Sequence, residues 1–127
     1  MEQVEERFGD YVLVEPLGTG GMGQVFKAYH VADKERAYPY ALKRLKAGDA
    51  ELTTYILREA AIAKALRAEC FVETFDVGAV DGQPYLLMEY VDGADLARLI
   101  GRLMRRKRRM PMEVILDLLE QICNALA

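Results

Sequence analysis

The chain has 127 residues, 52% of them apolar and 29% charged, and a net charge of −3. This excludes a disordered chain and gives no global pull towards nucleic acid. No apolar run reaches the length of a membrane span, so one globular domain with a single core and no membrane partner is expected. The N-terminal stretch MEQVEERFGD is acidic and lacks the apolar centre of a secretory signal. Cys70 and Cys123 have no metal-ligand spacing, and no metal site is expected. A reduced, cytoplasmic protein with two buried thiols follows.

In chain order, YVLVEPLG and QVFKAYHV are short runs rich in β-branched and aromatic residues, and they predict a hairpin around intervening glycines. AYPYALKRLK predicts a third strand, with Pro39 suited to its entry or to an edge. AELTTYILREAAIAKALRA predicts a helix with Leu52, Tyr55, Ile56, Ala60, Ala63 and Leu66 along its inner stripe. FVETFDVGAV and PYLLMEYV predict two strands around a DGQ turn. From about Asp95 to Arg109 the pattern is helical, and Pro111 opens a last helix with a stripe at Ile115, Leu118, Leu119, Ile122 and Leu126. Residues 105–109 read RRKRR, predicted as a solvated connection between helices. A phosphorylated partner, nucleic acid or acidic lipid would also suit such a run.

The glycines carry the first functional signal. LGTGGMGQV holds Gly18, Gly20, Gly21 and Gly23 within six positions. The spacing Gly-x-Gly-x-x-Gly fits a dinucleotide site, in which the glycines join a strand to a helix. It also fits a hairpin flap over nucleotide phosphates, and a hairpin without a ligand would show it too. After Gly23 the pattern is that of a strand, and position 43, where a ribose-binding acid would be sought, is Lys. The dinucleotide site is therefore disfavoured, and the flap and the hairpin without a ligand both stand at this point. Lys43 lies in the half-buried strand YALK, and Glu59 lies beside the apolar stripe of the helix with no basic residue three or four positions away. A carboxylate there calls for a cation from another element, and Lys43 is the natural one. An ion pair is expected, the alternative being that Glu59 reaches solvent at the edge of the stripe.

Taken together, LGTGGMGQV, YALK, REAAIAKAL and YLLMEYVDGADL resemble the glycine-rich loop, the phosphate-binding lysine strand, the helix carrying its glutamate and the hinge of a protein kinase. The wording of the loop and of EYVDG resembles the bacterial serine/threonine kinases of eukaryotic type. The resemblance implies an α+β fold: a kinase N-lobe of a five-stranded antiparallel sheet and one helix, followed by the first two helices of an incomplete C-lobe. It implies a tail over residues 1–9, N-lobe and hinge over 10–91, and C-lobe helices over 92–127. It implies ATP, with Mg²⁺ in the complete kinase, as cofactor. Leu17, Val25 and Ala41 would enclose the adenine, and Met88 would lie behind it. The backbone at Glu89 and Val91 would hold its edge, and Asp95 would lie near the ribose besides capping a helix. Gly18, Gly20, Gly21 and Gly23 would admit the phosphates, and Lys43 would contact them, positioned by Glu59.

The family's H-R-D-x-x-x-x-N loop and its D-F-G do not occur in these 127 residues, where the only histidine is His30. The DVG at 76–78 precedes the hinge and is read as the end of a strand in a tight turn. This chain alone is expected to be inactive, with transfer to protein hydroxyls confined to the complete kinase. Its exposed C-terminal helices are expected to form a homo-oligomer. The alternative is a non-catalytic kinase-like interaction or dimerisation module.

Overall fold

The computed structural model describes residues 5–20, 23–46, 48, 50–65 and 71–126, apart from the side chains at 20, 52, 56, 63 and 64. The elements in order are β1 (Glu6–Phe8), β2 (Tyr11–Gly20), β3 (Gly23–His30), β4 (Tyr40–Leu45), α1 (Ala50–Ala65), β5 (Thr74–Val80), β6 (Gln83–Glu89), α2 (Leu96–Arg105) and α3 (Met112–Leu126). They form two compact units, one holding β1 to β6 with α1, the other holding α2 and α3.

The first unit is one six-stranded sheet of order β1-β2-β3-β4-β6-β5, with every neighbouring pair antiparallel. The β5–β6 hairpin turns through Asp81 and Gly82, both at positive φ (49° and 79°). A two-residue loop with that backbone matches the twist of the strands it joins. Between β3 and β4 the Asp33 carboxylate accepts the N–H groups of Ala37 (3.1 Å) and Tyr38 (2.9 Å), which fixes the longer connection.

Strand residues alternate between faces, and one face carries the main core: Phe8, Tyr11, Leu13, Phe26, Ala28, Leu42 and Leu87, with Tyr40, Val80 and Tyr85 packed against it. Its aromatic rings meet edge to face, Phe8 on Tyr85 at 5.6 Å and Tyr11 on Tyr85 at 6.0 Å. Arg44 lies among them, with its guanidinium 5.6 Å from the Phe8 ring centre and 5.0 Å from that of Phe26. It donates to Glu6 at 2.8 Å and to Gln24 at 3.3 Å. β1 is thereby held both by backbone pairing and by a charged side chain of β4.

α1 packs against β5 and, to a lesser extent, β6. Ala60 is buried, Thr53 and Leu57 are half-buried, and Tyr55 and Ile62 are exposed. In the second unit Asp95 caps α2, its Oδ1 accepting the Arg98 N–H at 2.7 Å. α3 starts after Pro111, whose carbonyl accepts from Val114 and Ile115. No described residue of α2 or α3 is buried, and between them lies an apolar cavity of about 570 Å³ lined by Leu96, Ile100, Leu103, Ile115, Leu118 and Ile122 among others.

Several expectations are corrected. The sheet has six strands, not five, because Glu6–Phe8, inside the expected tail, pairs with β2. The DVG segment lies within β5 at a register shift rather than in a turn, and Asp76 Oδ1 accepts the N–H of Val77 at 2.9 Å. Helix α2 ends at Arg105 and not near Arg109. Cys123 is exposed, because it lies on a helix that buries nothing within its unit, and Cys70 lies outside the described residues. Of the expected α1 stripe, Tyr55 is 61% exposed. Leu66 and the side chains of Leu52, Ile56 and Ala63 lie outside the description.

Candidate nucleotide-binding site

The register assembles the site. Gly18 pairs with Val25, Val25 with Lys43, and Lys43 with Leu86. One step along, Glu15 pairs with Lys27, Lys27 with Ala41, and Ala41 with Met88. Directly opposed residues of antiparallel strands share a face, and Ala41 and Lys43 are two apart on β4. Gly18, Val25, Ala41, Lys43 and Met88 therefore share one sheet face. The intervening row of Pro16, Phe26, Leu42 and Leu87 lies on the other, where Phe26, Leu42 and Leu87 belong to the core. Leu17 is the extra residue at the register shift between Pro16 and Gly18 and is half-buried.

The glycines divide by role. A Cβ on Gly18 would meet nothing within 4 Å, so the backbone there is open on the face that carries Lys43. Gly23 differs. Its φ is +156°, and a Cβ would collide with the backbone carbonyl oxygen of Arg44. This glycine is required by the close approach of the hairpin to β4. Gly20 closes β2 opposite Gly23. Gly21 lies outside the described residues.

Lys43 is half-buried and has no hydrogen-bond or ion-pair partner among the described residues. Glu59 is exposed on α1, and the expected pair with Lys43 is not formed here: the ion pairs between described residues are Arg36–Glu5 and Arg44–Glu6. α1 buries Ala60 and leaves Glu59 beside it in solvent, where the carboxylate needs no cation. At the far end of the patch Glu89 donates its N–H to the Glu73 carbonyl at 2.8 Å, and Val91 is 61% exposed. Asp95 belongs to the second unit, where it caps α2. No cluster of His, Cys, Asp or Glu among the described residues could hold a metal ion.

Alternation reveals one residue that motif reading missed. Lys27 lies two positions after Val25, on the same face as Ala41 and Met88, with its ammonium 4.8 Å from the ring centre of Tyr90. Desolvation pulls its pKa down, but the nearby Tyr29, Tyr90 and Glu15 outweigh this and the net direction is up. The signal in the sequence was the period of two counted from Val25.

Comparison with known proteins gives the family and the fold. Residues 11–127 match the protein kinase domain, and the chain belongs to that family. It is 32% identical over 120 residues to the serine/threonine-protein kinase Pkn1 of Myxococcus xanthus, covering 94% of this chain and 16% of that protein. To PknH of Mycobacterium tuberculosis it is 37% identical over 103 residues, covering 79% and 16%. The PknI kinase domain of Mycobacterium tuberculosis superposes over 99% of this chain and 50% of that chain, with a TM-score of 0.78 and 29% identity. The chain thus spans less than a fifth of these two curated relatives and half of the solved kinase domain. Its fold is that of the kinase N-lobe followed by helices.

Proposed function

We propose that this chain is the ATP-binding half of a serine/threonine protein kinase, in which the complete protein transfers the γ-phosphoryl group of ATP to protein hydroxyls. The observation that carries this reading is the joint presence of Gly18, Val25, Ala41, Lys43 and Met88 on one sheet face opposite the core. Val25 and Ala41 supply apolar cover for a purine, Met88 bounds it, and Leu17 flanks it at the bulge. The N–H of Glu89 is taken by Glu73, so Glu89 would offer the adenine its carbonyl and Val91 its N–H. The open backbone at Gly18 admits phosphates, and Lys43, without a partner among the described residues, supplies charge on the same face. Asp95 would take the ribose in the complete kinase. Gly20 and Gly21 complete the loop.

Phosphoryl transfer rests on positioning and electrostatics from both halves of a kinase. With no H-R-D or D-F-G in the chain, no carboxylate is placed to orient a hydroxyl or hold Mg²⁺, and the 127-residue chain is inactive alone. In the complete kinase an inward-packed α1 brings Glu59 to Lys43, which fixes the lysine on the phosphates. The α2 and α3 faces left apolar in this chain are covered by the remainder of a kinase domain or, in its absence, by a second copy.

Calorimetric titration with Mg²⁺–ATP tests the reading. The chain should bind with a Kd no tighter than roughly 0.1–1 mM, and Lys43→Met should weaken binding at unchanged thermal stability. Binding unaffected by Lys43→Met, or transfer of phosphate to a protein substrate by this chain, would overturn it.

A further inference from the structure

The segment from Arg98 to Arg109 carries seven cations, namely Arg98, Arg102 and the run 105–109, and no carboxylate. Because the chain as a whole has a net charge of −3, this +7 stands against −10 in all the rest. Such asymmetry marks a surface with an anionic partner. The bland explanation covers only part of it. Arg102 and Arg105 lie in the last turn of α2, where a cation offsets the helix dipole, but the dipole falls off within that turn and calls for no further five.

These cations are displayed rather than used internally. All seven are exposed, and none makes an ion pair with a described residue. Arg98, Arg102 and Arg105 recur at i, i+4 and i+7 and so share one flank of α2. The run itself is held by backbone hydrogen bonds, Arg106 N–H to Arg102 O at 3.1 Å, Lys107 N–H to Met104 O at 3.0 Å and Arg108 N–H to Leu103 O at 2.8 Å. The charge therefore sits on an ordered turn.

We infer that this turn and the cationic flank of α2 form a docking surface for an anionic lipid bilayer. Charge complementarity names an anion, and a dense basic cluster at the end of an amphipathic helix favours a bilayer. Residues 92–127 contain no aromatic side chain, so the stacking platform that single-stranded nucleic acid uses is missing. Two exposed apolar side chains bracket the run, Met104 at 72% and Met112 at 66%, at the groove between α2 and α3. The surface is that of a cluster of basic residues on an amphipathic helix. The expectation of no membrane partner rests on the missing apolar span, and a peripheral contact needs none; no described helix is long and apolar enough to cross a membrane.

Co-sedimentation of the chain with phosphatidylcholine vesicles, with and without phosphatidylserine, tests this. Binding should require phosphatidylserine and fall steeply between about 0.05 and 0.5 M salt. The triple variant Arg105→Gln, Arg106→Gln, Arg109→Gln alters exposed side chains only, so its circular dichroism should match the parent. Its affinity for the anionic vesicles should fall about a hundredfold. Equal retention on neutral vesicles, absence of binding to either kind, full retention by the folded triple variant, or tighter capture by a single-stranded oligonucleotide than by anionic vesicles would each overturn the inference.

Discussion

Gly18 and Gly23 stand at the two ends of one loop and should respond differently to the same substitution. At Gly23 an added methyl meets the Arg44 carbonyl, and no flexible side chain can yield. Gly23→Ala should destabilise the first unit by roughly 2–4 kcal/mol. Gly18→Ala meets nothing within 4 Å and should change stability by less than about 1 kcal/mol, while weakening any binding of Mg²⁺–ATP. Urea unfolding beside calorimetric titration separates the two effects. A second residue reports on the core. Burial, helped by Tyr85 and Asp76, pushes the Tyr11 phenol up from 10.0 to about 12. Between those values the unfolded chain has released a proton that the folded chain keeps. Stability is therefore full below pH 10 and falls as pH rises towards 12, by up to about 2 kcal/mol. Tyr11→Phe should flatten that alkaline loss, as read from urea midpoints across the range. The GxGxxG spacing could not distinguish the two glycines, because the need for Gly23 comes from a strand 21 residues further on, at Arg44.

Among the elements, those with a strong local signal were legible. The β2–β3 and β5–β6 hairpins follow from β-branched runs around turn residues, and Asp95 and Pro111 mark the helix starts. β1 was not, because Glu6–Phe8 is three residues long and two of them are charged. It is a strand through tertiary contacts, namely its pairing with β2 and the Arg44 clamp. Arg44→Ala should therefore cost about 2 kcal/mol, from two cation–π contacts and a partly buried ion pair. Arg44→Lys should recover less than half of that, since an ammonium cannot stack and fork together. Unfolding midpoints of the two variants check this. The rotation of α1 was also illegible. Apolar residues occur nearly all round AELTTYILREAAIAKA, so no single stripe is dictated, and the structure buries Ala60 while leaving Tyr55 exposed. That rotation decides where Glu59 points, which is why the carboxylate expected at Lys43 lies in solvent.

For the molecule as a whole, the patch of residues that would hold a nucleotide was readable because motif order and strand alternation agree. Its completion was not, since the family's remaining motifs do not occur in these 127 residues. The second unit carries the physical consequence. Leu119, Ile122 and Leu126 are 52%, 49% and 77% exposed, and the second copy proposed above would cover them. Light scattering at micromolar concentration should give a mass above the monomer, reduced by Leu118→Glu with Leu119→Glu. A monomer mass unchanged by that pair would refute self-association. The first unit faces a different hazard. Every sheet ends in strands whose outer N–H and C=O groups invite foreign strands. On the β2 side, the second half of the strand is interrupted by register shifts and by Pro16, which cannot donate. The regular first part, Tyr11, Val12 and Leu13, has no such protection, and it is the part that β1 covers. β1, charged at Glu6 and Arg7, is thus expected to oppose strand addition at this edge. A chain cut at residue 11, where the family match begins, would lose the buried Phe8 and the Glu6 partner of Arg44 and would expose an open template for amyloid-like pairing.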